Sequence, residues 1–268
     1  MKRNMGFYIG LIILICFAVI AILAPVISPY NPYDLGDPYL KPSSEHILGT
    51  NDVGQDILSE LLYGTRVSLS VGVVSAAVVT VVGCFVGISS GYYGGLYDSI
   101  VMRITSVIMA IPSLPITIVL VAYLDASLWN IIIVICLTAW TSTARIVRAK
   151  VMTLREMPFI KSEKALGAGT AYIMVKHIIP NLSEIVFIRA VLAIAGAMLT
   201  EASLSFLGLG VIGQKSWGGI LHYAYYRNGI LNNYYWWYLP PIICISLSVL
   251  AFLLLGNSEK RKVVTKGC

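Results

Sequence analysis

Four stretches of the chain run without a charge for about the length a bilayer demands: Tyr8–Val26, Val67–Ile88, Ile104–Leu124 and Trp236–Leu255. A hydrocarbon core of ~30 Å takes roughly 20 helical residues to cross. Each stretch therefore predicts a transmembrane helix. Leu128–Ala144 is shorter but equally free of charge, and modest bilayer thinning accommodates it. A sixth stretch, Ile185–Leu207, is apolar apart from Arg189 and Glu201. Interrupted spans of that kind face protein or a cavity rather than lipid. The pattern predicts six spans.

Two connections, 27–66 and 145–184, are long and of equal length. The first holds Lys41 and Arg66 against six acids; the second holds Arg145, Arg148, Lys150, Arg155, Lys161, Lys164 and Lys176. Basic loops stay inside, so 145–184 is predicted to be cytoplasmic and 27–66 external. The ends agree, with Lys2 and Arg3 at one and Lys260, Arg261, Lys262 and Lys266 at the other. The apolar run after Arg3 is longer than a signal-peptide core and no A-x-A site follows it, which predicts an uncleaved first helix. The expected parts are a first helix and outer loop (1–66), a core membrane domain (67–256) and a short basic cytoplasmic tail (257–268).

Composition agrees with lipid as the solvent. Of 268 residues 57% are hydrophobic and 12% charged, with a mean hydropathy of +0.81; soluble domains carry about 25% charged residues. The net charge of +6 then reflects loop placement, and no nucleic-acid partner is expected. Four of the five cysteines (Cys16, Cys84, Cys136, Cys244) lie in apolar runs, and none, Cys268 included, makes a CxxC pair. His46, His177 and His222 share no metal-ligand spacing. No phosphate-cradling G-x-x-x-x-G-K-[ST] frame occurs and no catalytic set converges, so no enzyme activity and no bound cofactor are expected.

The inner loop reads as folded. Pro158 suits the first turn of a helix, and Gly167 falls where a left-handed cap would end it. Phe159 and Leu166, seven apart with Ser162 between, share a face. Thr170 can cap a second short helix that ends before Pro180, with Ser183 opening the next span. Pro112 and Pro115 break the third span, while Gly72, Gly83 and Gly87 give the second a small-residue face suited to close packing. Glu201 has two readings. It is a pathway or gate position, with Ser203 and Ser205 beside it. Alternatively, at ~24 Å beyond Ile185, it sits at the outer interface and bonds a turn at Gly208 or Gly210. Arg189 is expected to snorkel to the inner headgroups. The eight Tyr and Trp residues of 222–241 form an interfacial belt, or an outer gate or docking surface.

The stretch MPFIKSEKALGAGTAYIMVKHIIPN (157–181) resembles the coupling loop of binding-protein-dependent ABC permeases. The chain is similar over nearly its whole length to the C-type inner-membrane subunit of dipeptide, oligopeptide and nickel importers. ILGTNDVGQDILSELLYGTRVSLSVG (47–72), SGYYGGLYDSIVMR (90–103), ARIVRAKVMTLRE (144–156), LTEASLSFLGLGV (199–211) and SWGGIL (216–221) resemble its other signatures, in order. The resemblance implies an all-α type I importer permease in a bacterial or archaeal cell membrane, with both termini cytoplasmic. It implies a second homologous permease, two cytoplasmic ATPases that use ATP and Mg, and an extracytoplasmic binding protein. Peptides, nickel or metal chelates would be the cargo. The coupling set would be Phe159, Lys161, Ser162, Glu163, Ala165, Leu166 and Gly167, and the outer-loop motif Gly49, Thr50, Gly54, Asp56 and Arg66. Lys161 stands where the family has glutamate, and Glu163 lies about 200° away around the helix. Asn51, Gln55 and Glu60 replace the usual aspartate, arginine and arginine, and the L-R-D-x-L-D-P tail is missing. The rival reading is an ion-coupled carrier or channel acting alone, which would be expected to show acidic mid-membrane residues and inverted repeats.

Overall fold

The computed structural model describes residues 5–211 and 213–266, with side chains described up to Ser258. Lys2, Arg3 and Cys268 lie outside the described residues, as do the side chains of Lys260, Arg261, Lys262 and Lys266. The elements are α1 (Met5–Ile27), α2 (Ile57–Tyr93), α3 (Gly95–Ala110), α4 (Ser113–Tyr123), α5 (Leu128–Arg155), α6 (Pro158–Ala165), α7 (Thr170–Ile173), α8 (Ile179–Leu204), α9 (Trp217–Tyr226) and α10 (Tyr235–Lys266). Single π-helical turns, Met174–Ile178 and Ser205–Leu209, precede and follow α8. Among the described residues the chain is helical, with one isolated β-bridge between Thr50 and Asp56.

Five of these helical segments are long and apolar enough to cross a membrane, and α3 with α4 makes a sixth candidate bent by 84°. The bend has a local cause. Pro112 pushes Ile111 out of helical geometry to φ −83°, ψ 127°, and Pro115 falls in the first turn of α4, where its missing N–H is tolerated. The third span is thus a broken one, as its prolines predicted. The other helices outrun their charge-free stretches: α2 begins at Ile57 and α5 continues to Arg155. A helix does not stop where lipid does; apolar length sets the minimum.

Helix α2 is the central strut. Gly83, Gly87 and Gly91, one turn apart, lie against α5 so closely that an added Cβ would meet Trp140 O at 3.0 Å, Ala144 O at 2.6 Å and Arg148 O at 2.8 Å. The contacts advance together along both chains, so α2 and α5 run parallel. Helix α8 crosses antiparallel on the other side, where Gly72 meets Met198. Apolar clusters stack along the axis. Trp217, Trp236, Trp237 and Phe17 fill one end; Val71, Ile131, Ile135 and Leu204 the middle; Tyr92, Val147, Ile160 and Ile173 the far end. Outward, Ile12, Ile22, Val81, Phe85 and Val107 are exposed, as lipid-facing positions are.

The start of α1 lies beside the far part of α10, where Gly6 packs on Leu254 and Ser258. Residues 28–56 and 205–234 gather at the end opposite Tyr92. The segment 170–204 differs from expectation. Gly169, not Thr170, is the N-cap of α7, and the helix does not end before Pro180. A π-helical turn carries it directly into α8, where Pro180 sits in the first turn and Ser183 donates to Pro180 O at 2.8 Å. The run continues past the proline because the π-helical turn shifts the bonding register just before it, with Ile179 N–H donating to Met174 O, and so absorbs the missing donor.

If the α2–α5 contact holds the bundle, Gly87→Leu must push two backbones apart. We expect it to lower stability by at least ~1–3 kcal/mol, read as a fall in the unfolding midpoint of the detergent-solubilised protein. An unchanged midpoint would refute the contact's importance.

Candidate functional site

At the Tyr92 end, α6 hangs as a short knob between α5 and α7. Met157 is its extended N-cap and Pro158 its first residue. It closes in a Schellman motif: Ala168 N–H donates to Glu163 O and Gly167 N–H to Lys164 O, both at 3.0 Å. Gly167 takes φ +86° to do so. Ile160 alone of the helix is fully buried, among Tyr92, Val151, Leu154 and Ile173. Phe159 is half-exposed and Leu166, beyond the last turn, is 84% exposed. Ser162 and Ala165 face out with them.

Of the three residues expected to depart from the coupling pattern, Ser162 donates to Pro158 O at 3.0 Å and the other two meet residues flanking the knob. Lys161 Nζ lies 3.1 Å from Glu156, and this hydrogen bond holds the Glu156 carboxyl below its ordinary range. Glu163 Oε1 lies 3.5 Å from His177 Nε2 on the π-helical turn. Lys164 reaches over the Tyr92 ring at 5.1 Å. Deeper in, Asp98 at the start of α3 forms a two-pronged ion pair with Arg148 of α5, and Arg155 donates to Tyr92 O at 3.0 Å. The knob is thereby held against α2, α5 and the α7–α8 helix, while the Asp98–Arg148 pair ties α3 to α5 beneath it.

At the opposite end the outer-loop motif turns out to build the loop. Gly49 and Gly54 adopt φ +71° and +81°, and a Cβ on Gly54 would sit 2.0 Å from Gly36 O. The Thr50 hydroxyl donates to Asp37 O at 2.7 Å and accepts from Leu40 N–H. Asp56 caps α2, accepting from Ser59 N–H at 2.8 Å and facing His46 Nδ1 at 3.0 Å. Arg66 is exposed on α2 and takes no part in this network. Lys215 does: its Nζ donates to Glu60 and Gln55 at 2.6 Å each, while Asn51 Nδ2 donates to Glu60 at 3.1 Å. The altered motif residues and Lys215 therefore form one charge-compensated cluster. In the sequence, Lys215 carries only the weak signal of a lone cation on an acidic side. The cluster lines an outer cavity of about 360 Å³ together with His222, Tyr223 and Arg227.

Glu201 is 1% exposed and lines neither this cavity nor the one below. Its oxygens accept from Ser68 Oγ at 3.1 Å and Ser205 Oγ at 2.7 Å, while Trp217 N–H donates to Ser68 at 3.4 Å. Hydroxyls of α2 and the helix that follows, not a glycine turn, satisfy it; Gly210 packs on Ser205 instead. Ser205 also lines the outer cavity, whereas Ser203 bonds Leu199 O on its own helix. The aromatic stretch is divided. Trp236 and Trp237 are buried core, and Tyr223, Tyr225 and Tyr226 are exposed.

A second cavity, about 490 Å³, opens where α4 bends away from α5 and α8. Arg189 lines it and donates to Ser142 Oγ at 2.7 Å. That geometry depends on three helices and is invisible in any one of them.

Residues 62–263 match the family model of the binding-protein-dependent transport system inner membrane component. Residues 1–42 match the N-terminal TM domain of oligopeptide transport permease C. The chain is 34% identical over 260 residues to a dipeptide transport system permease protein of Bacillus subtilis (strain 168), covering 96% of this chain and 81% of the relative. It is 37% identical over 220 residues to an oligopeptide transport system permease protein of the same organism, 81% and 72% covered. With the dipeptide permease of Haemophilus influenzae it shares 36% over 223 residues, 78% and 74% covered.

Glu201→Ala would strand two buried serine hydroxyls, a loss of roughly 1–3 kcal/mol. We expect a clearly lowered unfolding midpoint for Glu201→Ala and a smaller drop for Glu201→Gln, which keeps an acceptor. Equal stability of the alanine variant and wild type would show that the residue's worth lies elsewhere.

Proposed function

We propose, from the premise that the chain belongs to the family of binding-protein-dependent transport system inner membrane components, that it forms half of the path of an ATP-driven peptide importer. The observation that carries this reading is the α6 knob, capped at both ends, with Leu166 84% exposed and Ile160 buried in the bundle. Such an element has one face for a partner and one for the membrane domain. Peptides are preferred as cargo over nickel or chelates because the relatives are named as dipeptide and oligopeptide permeases.

In this reading a second, homologous permease completes the path, two cytoplasmic ATPases grip the α6 knobs, and an external binding protein delivers peptide. A displacement of α6 is passed through Ile160 to Val151 and Leu154 of α5 and to Leu182 of α8. Those same helices wall the inner cavity. The peptide biases the cycle only through unequal binding to its states. Alternating access follows from ATPase closure pulling two helices that share one strut. The knob and both chain ends lie on the cytoplasmic side, and residues 28–56 face outward.

Three outcomes test this. Reconstituted with its partners, the complex should take up a dipeptide only with ATP and binding protein; uptake by the chain alone on an ion gradient would establish the rival carrier. Leu166→Asp should leave the fold intact, but a carboxylate pressed into an apolar contact costs at least ~2 kcal/mol, so ATPase co-purification should fall more than about tenfold. Normal co-purification would remove α6 from the coupling role. An impermeant amine reagent should modify Lys164 only in opened cells, and modification from outside would invert the topology.

A further inference from the structure

Arg189 is a cation placed where a cation is expensive. It lies halfway between Ile179 and Thr200 on α8, inside a candidate membrane span. Its guanidinium has one neutral partner, Ser142 Oγ, and its Nε is buried without any hydrogen bond. Among the described residues no carboxylate lies within ion-pair distance of it, and none lines the cavity it faces. Structural arginines inside membranes are paired, as Arg148 is with Asp98 on the neighbouring helices. An arginine left with unspent donors at a cavity wall is chemically incomplete.

The cavity has the proportions of a ligand site. Its volume of about 490 Å³ falls within the ~300–1,000 Å³ typical of small-molecule pockets. Pro112 at the helix break forms one wall, with Thr138 and Ser142 of α5 and Gly196 and Thr200 of α8 opposite. The wall thus offers hydroxyls, one cation and no competing anion. Gly196 has open space where a Cβ would stand, so its lack of a side chain widens the cavity and is not demanded by packing.

We propose that Arg189 binds the carboxylate of the transported solute in this cavity. This deepens the peptide-importer reading and rests on it, since every free peptide carries a terminal carboxylate. A guanidinium fork fits a carboxylate two oxygens at a time. Ser142 holds the fork in place, and the threonines can meet the peptide's amides.

The test uses the complete reconstituted transporter, with one dipeptide as the free acid and as its C-terminal amide. Arg189→Gln should cut uptake of the acid by roughly ten- to a hundredfold, the worth of a charge-assisted hydrogen bond. Amide uptake should change little, and Arg189→Lys should restore part of the acid uptake. Gly196→Leu, whose Cβ enters open space and whose side chain takes up part of the cavity, should slow both peptides. Unchanged acid uptake in Arg189→Gln, an equal loss for both peptides, or failure of Arg189→Gln to assemble would each overturn the proposal.

A second readout separates this claim from the functional reading beneath it. Gly196→Cys in the assembled complex should react faster with an anionic than with a cationic methanethiosulfonate reagent, scored at residue 196 by peptide mass spectrometry. Adding Arg189→Gln should erase the preference. If wild type moves no peptide but the preference is present, the importer reading fails while the anion site stands. If the preference is absent, the site fails whatever the transport result.

Discussion

The close approach of α2 and α5 along Gly83, Gly87 and Gly91 is the constraint on which the remaining geometry depends. Lipid tails are as apolar as leucine, so helices in a bilayer gain little by hiding apolar surface from one another. They gain by fitting, and three missing side chains let two backbones come near contact over two turns. Once that pair is fixed in parallel register, the chain must cross the membrane between the end of α2 and the start of α5. The bent α3–α4 pair makes that crossing. Its departure at Pro112 leaves the cavity that Arg189 faces. A straight third span would have closed it.

The two ends of the bundle are built on different chemistry. The Tyr92 end is fastened by the ion pair that crosses between helices from Asp98 to Arg148, with Glu163 facing His177 at 3.5 Å, around one buried isoleucine. Exposed apolar residues are left over at its tip. The opposite end is a polar lattice in which Asn51 and Lys215 donate to Glu60, Thr50 ties Asp37 to Leu40 and Asp56 caps α2, sealed beneath by Trp217 and the Glu201 serines. A knob with spare apolar surface suits a partner that grips. A lattice with its charges balanced suits a surface that must stay soluble and keep its shape. Both are anchored to α2, with α5 extending to the first and α8 lying under the second.

Charged residues find partners that the chain order does not reveal. Lys161 lies beside Glu156, Glu163 faces His177, and Glu60 receives its cation from Lys215, distant in sequence. Charge is balanced by neighbourhood and not by position, because Coulomb's law acts through space.

Chain order was enough for five long apolar spans and a candidate sixth, the proline break in that sixth, and a capped knob closing at Gly167. Each of these is a local property: apolar length, a ring that removes a donor, a residue without Cβ where φ is positive. The family was legible for the same reason, since its motifs are contiguous strings. Packing alone settled what Glu201 bonds, that Arg189 lines a cavity, that the helix begun at Thr170 continues through a π-helical turn past Pro180, and that Lys215 belongs with Glu60. Those facts concern pairs of residues far apart in the chain. Hydropathy records only what each residue prefers, whereas a buried charge or hydroxyl is satisfied by whichever neighbour packing delivers to it.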